Sequence, residues 1–134
     1  MKFYNITVTA KLIEDGAEQK NQSGKGQTMY CNVFRVTVQH EGKKTSFKYH
    51  GSHNDWQQGK TELDDDNLKF ALYCFESDAR MGKESFESFC SELGYDSDSR
   101  TAEKIHKECI KQAARFEKLN IPQETIEKIW EECQ

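Results

Sequence analysis

Leu68-Lys69-Phe70-Ala71-Leu72-Tyr73-Cys74-Phe75-Glu76-Ser77-Asp78-Ala79 opens the stretch, residues 68–119, whose reading decides the fold. Leu68, Ala71, Leu72, Phe75 and Ala79 recur at the spacing that lines one face of an α-helix. Asp64, Asp65 and Asp66 stand just ahead of it, where free backbone N–H groups favour carboxylates, and Gly82 stands where the helix is expected to stop. Phe86, Phe89, Cys90 and Leu93 repeat the pattern over a shorter helix ending at Gly94, with the aromatic pair expected in the core. Asp96 or Ser97 to Ser99 then offers a cap for a longer helix with a buried stripe of Ala102, Ile105, Cys109, Ala113 and Phe116. Pro122, suited to a first turn, introduces a fourth helix with Ile126, Ile129, Trp130 and Cys133 on one side.

Upstream of this stretch the period changes from helical to alternating. Ile6, Val8, Ala10 and Leu12 alternate with Thr7, Thr9 and Lys11, as a strand with one buried face requires. Residues 14–27 are polar, contain Gly16, Gly24 and Gly26, and read as a mobile connection. A second strand runs from about Met29 to Val38, its apolar phase shifting from Met29, Cys31 and Val33 to Phe34, Val36 and Val38, which calls for a bulge or a two-sided strand. His40-Glu41-Gly42-Lys43 is a turn, and Thr45, Phe47 and Tyr49 continue as a third strand. Residues 51–60 have no period and, apart from Trp56, are polar, so they are expected to carry the chain from sheet to helices. The reading is one α+β domain over 1–134, with a three-stranded antiparallel meander in 1–60 and a bundle of about four helices in 61–134.

At 134 residues the chain suits a single core. No run reaches the ~18 apolar residues of a membrane span, and the N-terminus lacks the apolar stretch of a signal peptide, so no membrane association and a cytoplasmic location are expected. The five cysteines are an odd set, and those on apolar helix faces are expected to be free thiols in a reducing compartment. The net charge of −4 divides unevenly: residues 1–60 carry nine Lys/Arg against five Asp/Glu, and residues 61–134 carry ten against eighteen.

Motifs for catalysis or metal binding are weak. His50 with His53, and His106 with Cys109, have spacings that a mixed metal site could use, but no Cys-x-x-Cys accompanies them. Cys109 is expected in the core with His106 beside it, and the other two histidines in water. Asp96-Ser97-Asp98-Ser99-Arg100 begins like a calcium loop yet lacks its central glycine and closing glutamate, so it reads as a helix cap. Gly24-Lys25-Gly26-Gln27-Thr28 has the wrong glycine spacing and context for a phosphate-binding Walker loop. No glycine-rich elbow frames any cysteine or serine, and neither enzymatic activity nor a metal or cofactor is expected.

Two charged surfaces remain. Lys43, Lys44 and Lys48 flank Phe47, Tyr49 and Trp56, and a sheet with exposed rings and nearby lysines can bind single-stranded nucleic acid; Lys43, Lys44, Lys48 and Trp56 are the contact residues of that alternative. The competing reading packs Phe47 and Tyr49 on the helices and leaves the lysines at a solvated edge. Glu62, Asp64, Asp65, Asp66, Glu76 and Asp78 form an acidic stretch, joined on the last helix by Glu124, Glu127, Glu131 and Glu132. Such carboxylates can take the place of phosphates in a basic groove of another protein. Glu62, Asp64, Asp65, Asp66, Glu127 and Glu131 are its expected contact residues.

The run Ser77-Asp78-Ala79, then Phe86-Glu87, Phe89-Cys90, Glu92, Gly94-Tyr95-Asp96, Asp98-Ser99-Arg100 and Ala102-Glu103, resembles a family of small bacteriophage and prophage proteins with a short β-rich start. The close match covers somewhat over a third of the chain, and its positions read as caps, helix ends and core aromatics. The family brings no established activity. Small phage proteins of this size and charge often disable host defences, anti-CRISPR proteins being the best-known group. The resemblance implies a phage accessory protein, and from that type of gene, not from any motif, the expectation is one that inhibits a Cas effector or nuclease complex by stoichiometric binding in the host cytoplasm.

Overall fold

The computed structural model describes residues 1–19 and 29–133. Among these residues, four strands, β1 (Lys2–Phe3), β2 (Ile6–Gln19), β3 (Met29–His40) and β4 (Lys43–His50), form one antiparallel sheet in chain order. Five helices follow among the described residues: α1 (His53–Gln57), α2 (Asp65–Gly82), α3 (Phe86–Leu93), α4 (Arg100–Glu117) and α5 (Gln123–Cys133). The α+β class stands, with one more strand and one more helix than the sequence pattern predicts. No helix among the described residues is long and apolar enough to cross a membrane.

Both additions are short. β1 folds back on β2 through Tyr4 and Asn5, each at positive φ, which makes a tight reversal. α1 is five residues long, capped by the Ser52 hydroxyl, and too brief to show a period.

The polar segment after Leu12 is the larger correction. β2 continues to Gln19, so the expected connection loses residues 14–19 to the sheet, while its remaining part, 20–27, lies outside the described residues. Pairing passes from Leu12↔Phe34 to Glu14↔Val33 and then to Ala17↔Cys31, so β2 gains an extra residue twice. Such bulges break the two-residue period that would have marked a strand. The phase shift in β3 answers them: Cys31, Asn32, Val33 and Phe34 are buried in succession, so both faces of the strand are covered there.

α2 lies across the sheet and is the centre of the core. Leu68, Ala71, Leu72, Phe75 and Ala79 meet Ile6, Val8, Phe34, Val36, Val38 and Phe47. Phe47 and Phe75 stack at 4.5 Å, and Phe116 of α4 meets Phe75 edge-on at 5.4 Å. Phe89, Cys90, Ala102 and Cys109 make a smaller cluster under α3.

α2 ends at Gly82, as the sequence pattern leads one to expect, and a Cβ there would collide with the Cys109 carbonyl oxygen. The glycine is there so that α2 and α4 can touch backbone to backbone. On α4, Ile105 is exposed and His106 takes its place inside, its Nε2–H donating to the Glu84 carbonyl at 2.9 Å beside the Phe89 ring. Leu93 at the end of α3 is also exposed. The caps follow the residues: Asp64, Ser85 and Ser99 accept from the backbone N–H three positions on, and Gly94 closes α3 in the left-handed conformation.

Candidate functional site

β4 ends the sheet, and α4 runs past that edge. Between them lies a groove of about 680 Å³ lined by Arg35, Thr45, Ser46, Phe47, Lys48, Glu108, Gln112, Arg115 and Lys118. Arg35 and Lys48 are directly paired across β3 and β4, and Lys11 of β2 pairs with Arg35 on the other side, so cations stand abreast on three strands. Arg115 and Lys118 come from the end of α4, where the helix dipole favours positive charge.

Arg115 is held by the Gln112 side chain at 3.4 Å, and Glu108, the carboxylate on the lining, is paired with Lys111 at 3.1 Å. Among the described residues, Arg35, Lys48, Arg115 and Lys118 form no ion pair. A concave wall with converging, unneutralised cations concentrates anions more strongly than scattered surface lysines do.

Of the four contact residues expected for nucleic acid, Lys43, Lys44, Lys48 and Trp56, Lys48 lines this groove, as does the neighbouring Phe47. Lys43 and Lys44 are exposed at the start of β4 beside the Glu41-Gly42 turn. Trp56 lies beyond the other end of β4, half-buried on α1 against Gly16, with Tyr30 at 5.2 Å and His53 at 5.7 Å. Phe47 is buried, so the helix-facing alternative holds for that ring. Arg35, Arg115 and Lys118 were missed. The two-residue turn at Glu41-Gly42 could have revealed Arg35, since residues equidistant from such a turn pair, whereas nothing local to Arg115 or Lys118 points to β4.

The acidic residues gather at another end of the molecule. Glu62, Asp64, Asp65 and Asp66 are exposed at the start of α2, and Glu127 and Glu131 are exposed on α5. The end of α5 is tied to the first turns of α2: the Cys133 thiol donates to the Lys69 carbonyl, and Lys69 pairs with Glu132 at 3.6 Å. Asp64 accepts from the Asn67 N–H at 2.8 Å as the helix cap, and Asp65 and Asp66 lie in the dipole-favoured first turn. Part of this charge therefore serves the helix.

Glu76 is different in kind. Buried in α2, it accepts hydrogen bonds from the Trp130 indole N–H and from Arg80, which also lies over the Trp130 ring at 4.6 Å. Burial holds its carboxyl above the ordinary range, against the lowering effect of Trp130, Arg80 and Lys83. Burial likewise raises Asp78.

The histidines and thiols are engaged structurally. His40 Nδ1–H donates to the Leu119 carbonyl at 2.6 Å, and His106 to Glu84 as above. His53 Nδ1 lies 2.8 Å from the Tyr30 carbonyl oxygen, so this half-buried ring is not simply in water, while His50 is exposed with Nδ1 3.8 Å from the Cys31 sulfur. No group of three metal-ligating side chains forms among the described residues. Burial, with Asp78 adding to it, pushes the Cys74 and Cys109 thiols up to about 11, which keeps them protonated at neutral pH.

No protein-family model, no curated protein and no solved structure matches the chain.

Proposed function

We propose that this chain is a binding protein whose groove between β4 and α4 holds the phosphate backbone of a nucleic acid. The observation that carries the reading is the convergence of Arg35, Lys48, Arg115 and Lys118, without carboxylate partners among the described residues, on one concave wall. Thr45 and Ser46 add hydroxyls that can donate to phosphate oxygens. Neutralising about four phosphates of a single strand gives a log-log salt slope of about −3.

The test is fluorescence anisotropy of a labelled oligonucleotide over a salt series. Arg115→Gln with Lys118→Gln is expected to weaken binding at low salt and bring the slope to about −1.5. Equal affinity and slope in the double variant would take the groove out of the reading.

The acidic end favours a second reading. Glu62, just ahead of α2, Asp65 and Asp66 in its first turn, and Glu127 and Glu131 on α5 are exposed and form no ion pair among the described residues, and α2 and α5 are joined at Lys69. They suit a basic groove on another protein. This is the surface through which a phage-encoded inhibitor of a host defence protein, a Cas effector or nuclease complex, would act in the host cytoplasm. Its test is capture by the tagged protein from nuclease-treated lysate of a CRISPR-bearing host. A defence factor retained by the native chain and lost when Asp64, Asp65 and Asp66 become Asn supports the reading, and retention regardless of those changes removes the patch from it.

A further inference from the structure

A group of aromatic rings lies next to the groove along β4. Phe47 lines the groove, and Tyr49 lies two residues further on the same, helix-facing side of β4, a step of about 7 Å. The Tyr49 ring meets Phe70 of α2 edge-on at 6.5 Å, and Phe70 lies 6.3 Å from Tyr73 with their planes 30° apart. Phe70 is 46% exposed, although α2 buries its apolar stripe on another side. A large ring left open in that way, supported by two others and reached from the cationic groove through Phe47 and Tyr49, suits an occupant that is planar on one side and anionic on the other.

We infer that Phe70, supported by Tyr73 and Tyr49, is a base-stacking platform that makes the groove a site for unpaired nucleic acid. The inference rests on the nucleic-acid reading of the groove. Phosphates alone do not distinguish a single strand from a duplex, since both present the same charged backbone. An exposed ring does, because a base offers its face only when it is out of the helix.

The charges around the platform set the direction in which a strand can lie. Asp66 is one helical turn ahead of Phe70, and Asp55, held by Lys60 at 3.5 Å, contributes to the field at Tyr49. Phosphates are therefore repelled beyond the rings and drawn back to Lys48, Arg35, Arg115 and Lys118. Tyr49, its phenol pushed up to about 12 chiefly by burial, stays neutral and adds no repulsion. One base rests on Phe70 while its backbone follows the groove away from the acidic end.

The experiment compares a labelled oligothymidylate with a labelled duplex of equal length, at one salt concentration, on the full chain. The native protein is expected to bind the single strand about tenfold more tightly than the duplex, and Phe70→Ala to remove about that factor from the single strand alone. Phe70→Trp is expected to restore the affinity, and its fluorescence to be quenched by the single strand beyond the change from Trp56 and Trp130. Duplex bound as tightly as the single strand, or Phe70→Ala binding like the native chain, overturns the platform and leaves the groove standing; the latter would mark the rings as a protein contact. If neither oligonucleotide binds, the groove reading falls and takes the platform with it.

Discussion

The basic groove and the acidic end differ in what their charges do for the fold. At the acidic end, Asp64 caps α2 and Asp65 and Asp66 sit against its dipole, so the carboxylates stabilise the helix that presents them. In the groove, Arg115 and Lys118 gain from the dipole of α4, but Arg35 and Lys48 on the sheet have no such task evident in their contacts, and four cations held near one another raise the energy of the free protein. Charge that supports its own helix is accounted for by folding alone. Charge that converges from separate elements and works against folding calls for a ligand, which is why the groove ranks first as a site.

The two regions can be damaged one at a time. Gly82→Ala would drive a Cβ into the Cys109 backbone and push α4, one wall of the groove, off α2. A loss of about 3 kcal/mol is expected in denaturant unfolding, because backbone on each side cannot step aside. Hydrogen exchange should rise first along α3 and α4 while α5 stays protected. A variant as stable as the native chain would mean that the α2–α4 contact is looser than the Gly82 geometry requires.

Glu76→Ala should injure the other region. It leaves the Trp130 N–H and the Arg80 guanidinium without their carboxylate, and these hold α5 to α2. A cost of about 2 kcal/mol is expected, with exchange rising along α5 and the groove keeping its oligonucleotide affinity.

The same residue gives a pH signature. Burial raises its pKa in the folded state above that of a free carboxylate, so the folded chain binds this proton more readily than the unfolded one. The resulting stabilisation is complete below the unfolded value and is lost as pH rises through the folded one. Glu76→Gln should therefore flatten the fall in stability with rising pH over that window, measured as the difference between the two proteins. An unchanged slope would assign it to Asp78, which burial also raises.

How far these regions could be read from the chain depends on the distance over which their residues act. α2, α4 and α5 were legible because each repeats its apolar positions over several turns, and Asp64 and Ser99 cap where local backbone chemistry demands it. The end of β2 was hidden by two bulges, and α1 by its length. Ile105 looked like the core residue, yet His106 faces inward because Glu84 and the Phe89 ring give its imidazole a seat that no local pattern records. The acidic end was conspicuous because Glu62 to Asp66 are contiguous. The groove was invisible because Arg35 meets Lys48 through the Glu41-Gly42 turn, and both meet Arg115 and Lys118 through the packing of α4.

The smallest expected effect separates the two surfaces most directly. Changing Asp64, Asp65 and Asp66 together to Asn keeps a capping side chain at Asp64, since Asn caps as well as Asp, so stability should shift by no more than about 1 kcal/mol. If the groove and the Phe70 platform bind a single strand, Asp66 repels its phosphates and removing that charge should tighten binding. The gain is expected to be about two- to threefold at low salt and to vanish near 0.5 M, where the Debye length is down to roughly 4–5 Å. If the acidic end is instead the contact surface for a defence protein, the same variant loses that partner and leaves oligonucleotide affinity where it was. One variant thus moves the two readings in opposite directions, and a gain for nucleic acid together with undiminished protein capture would assign the acidic residues to the boundary of the groove alone.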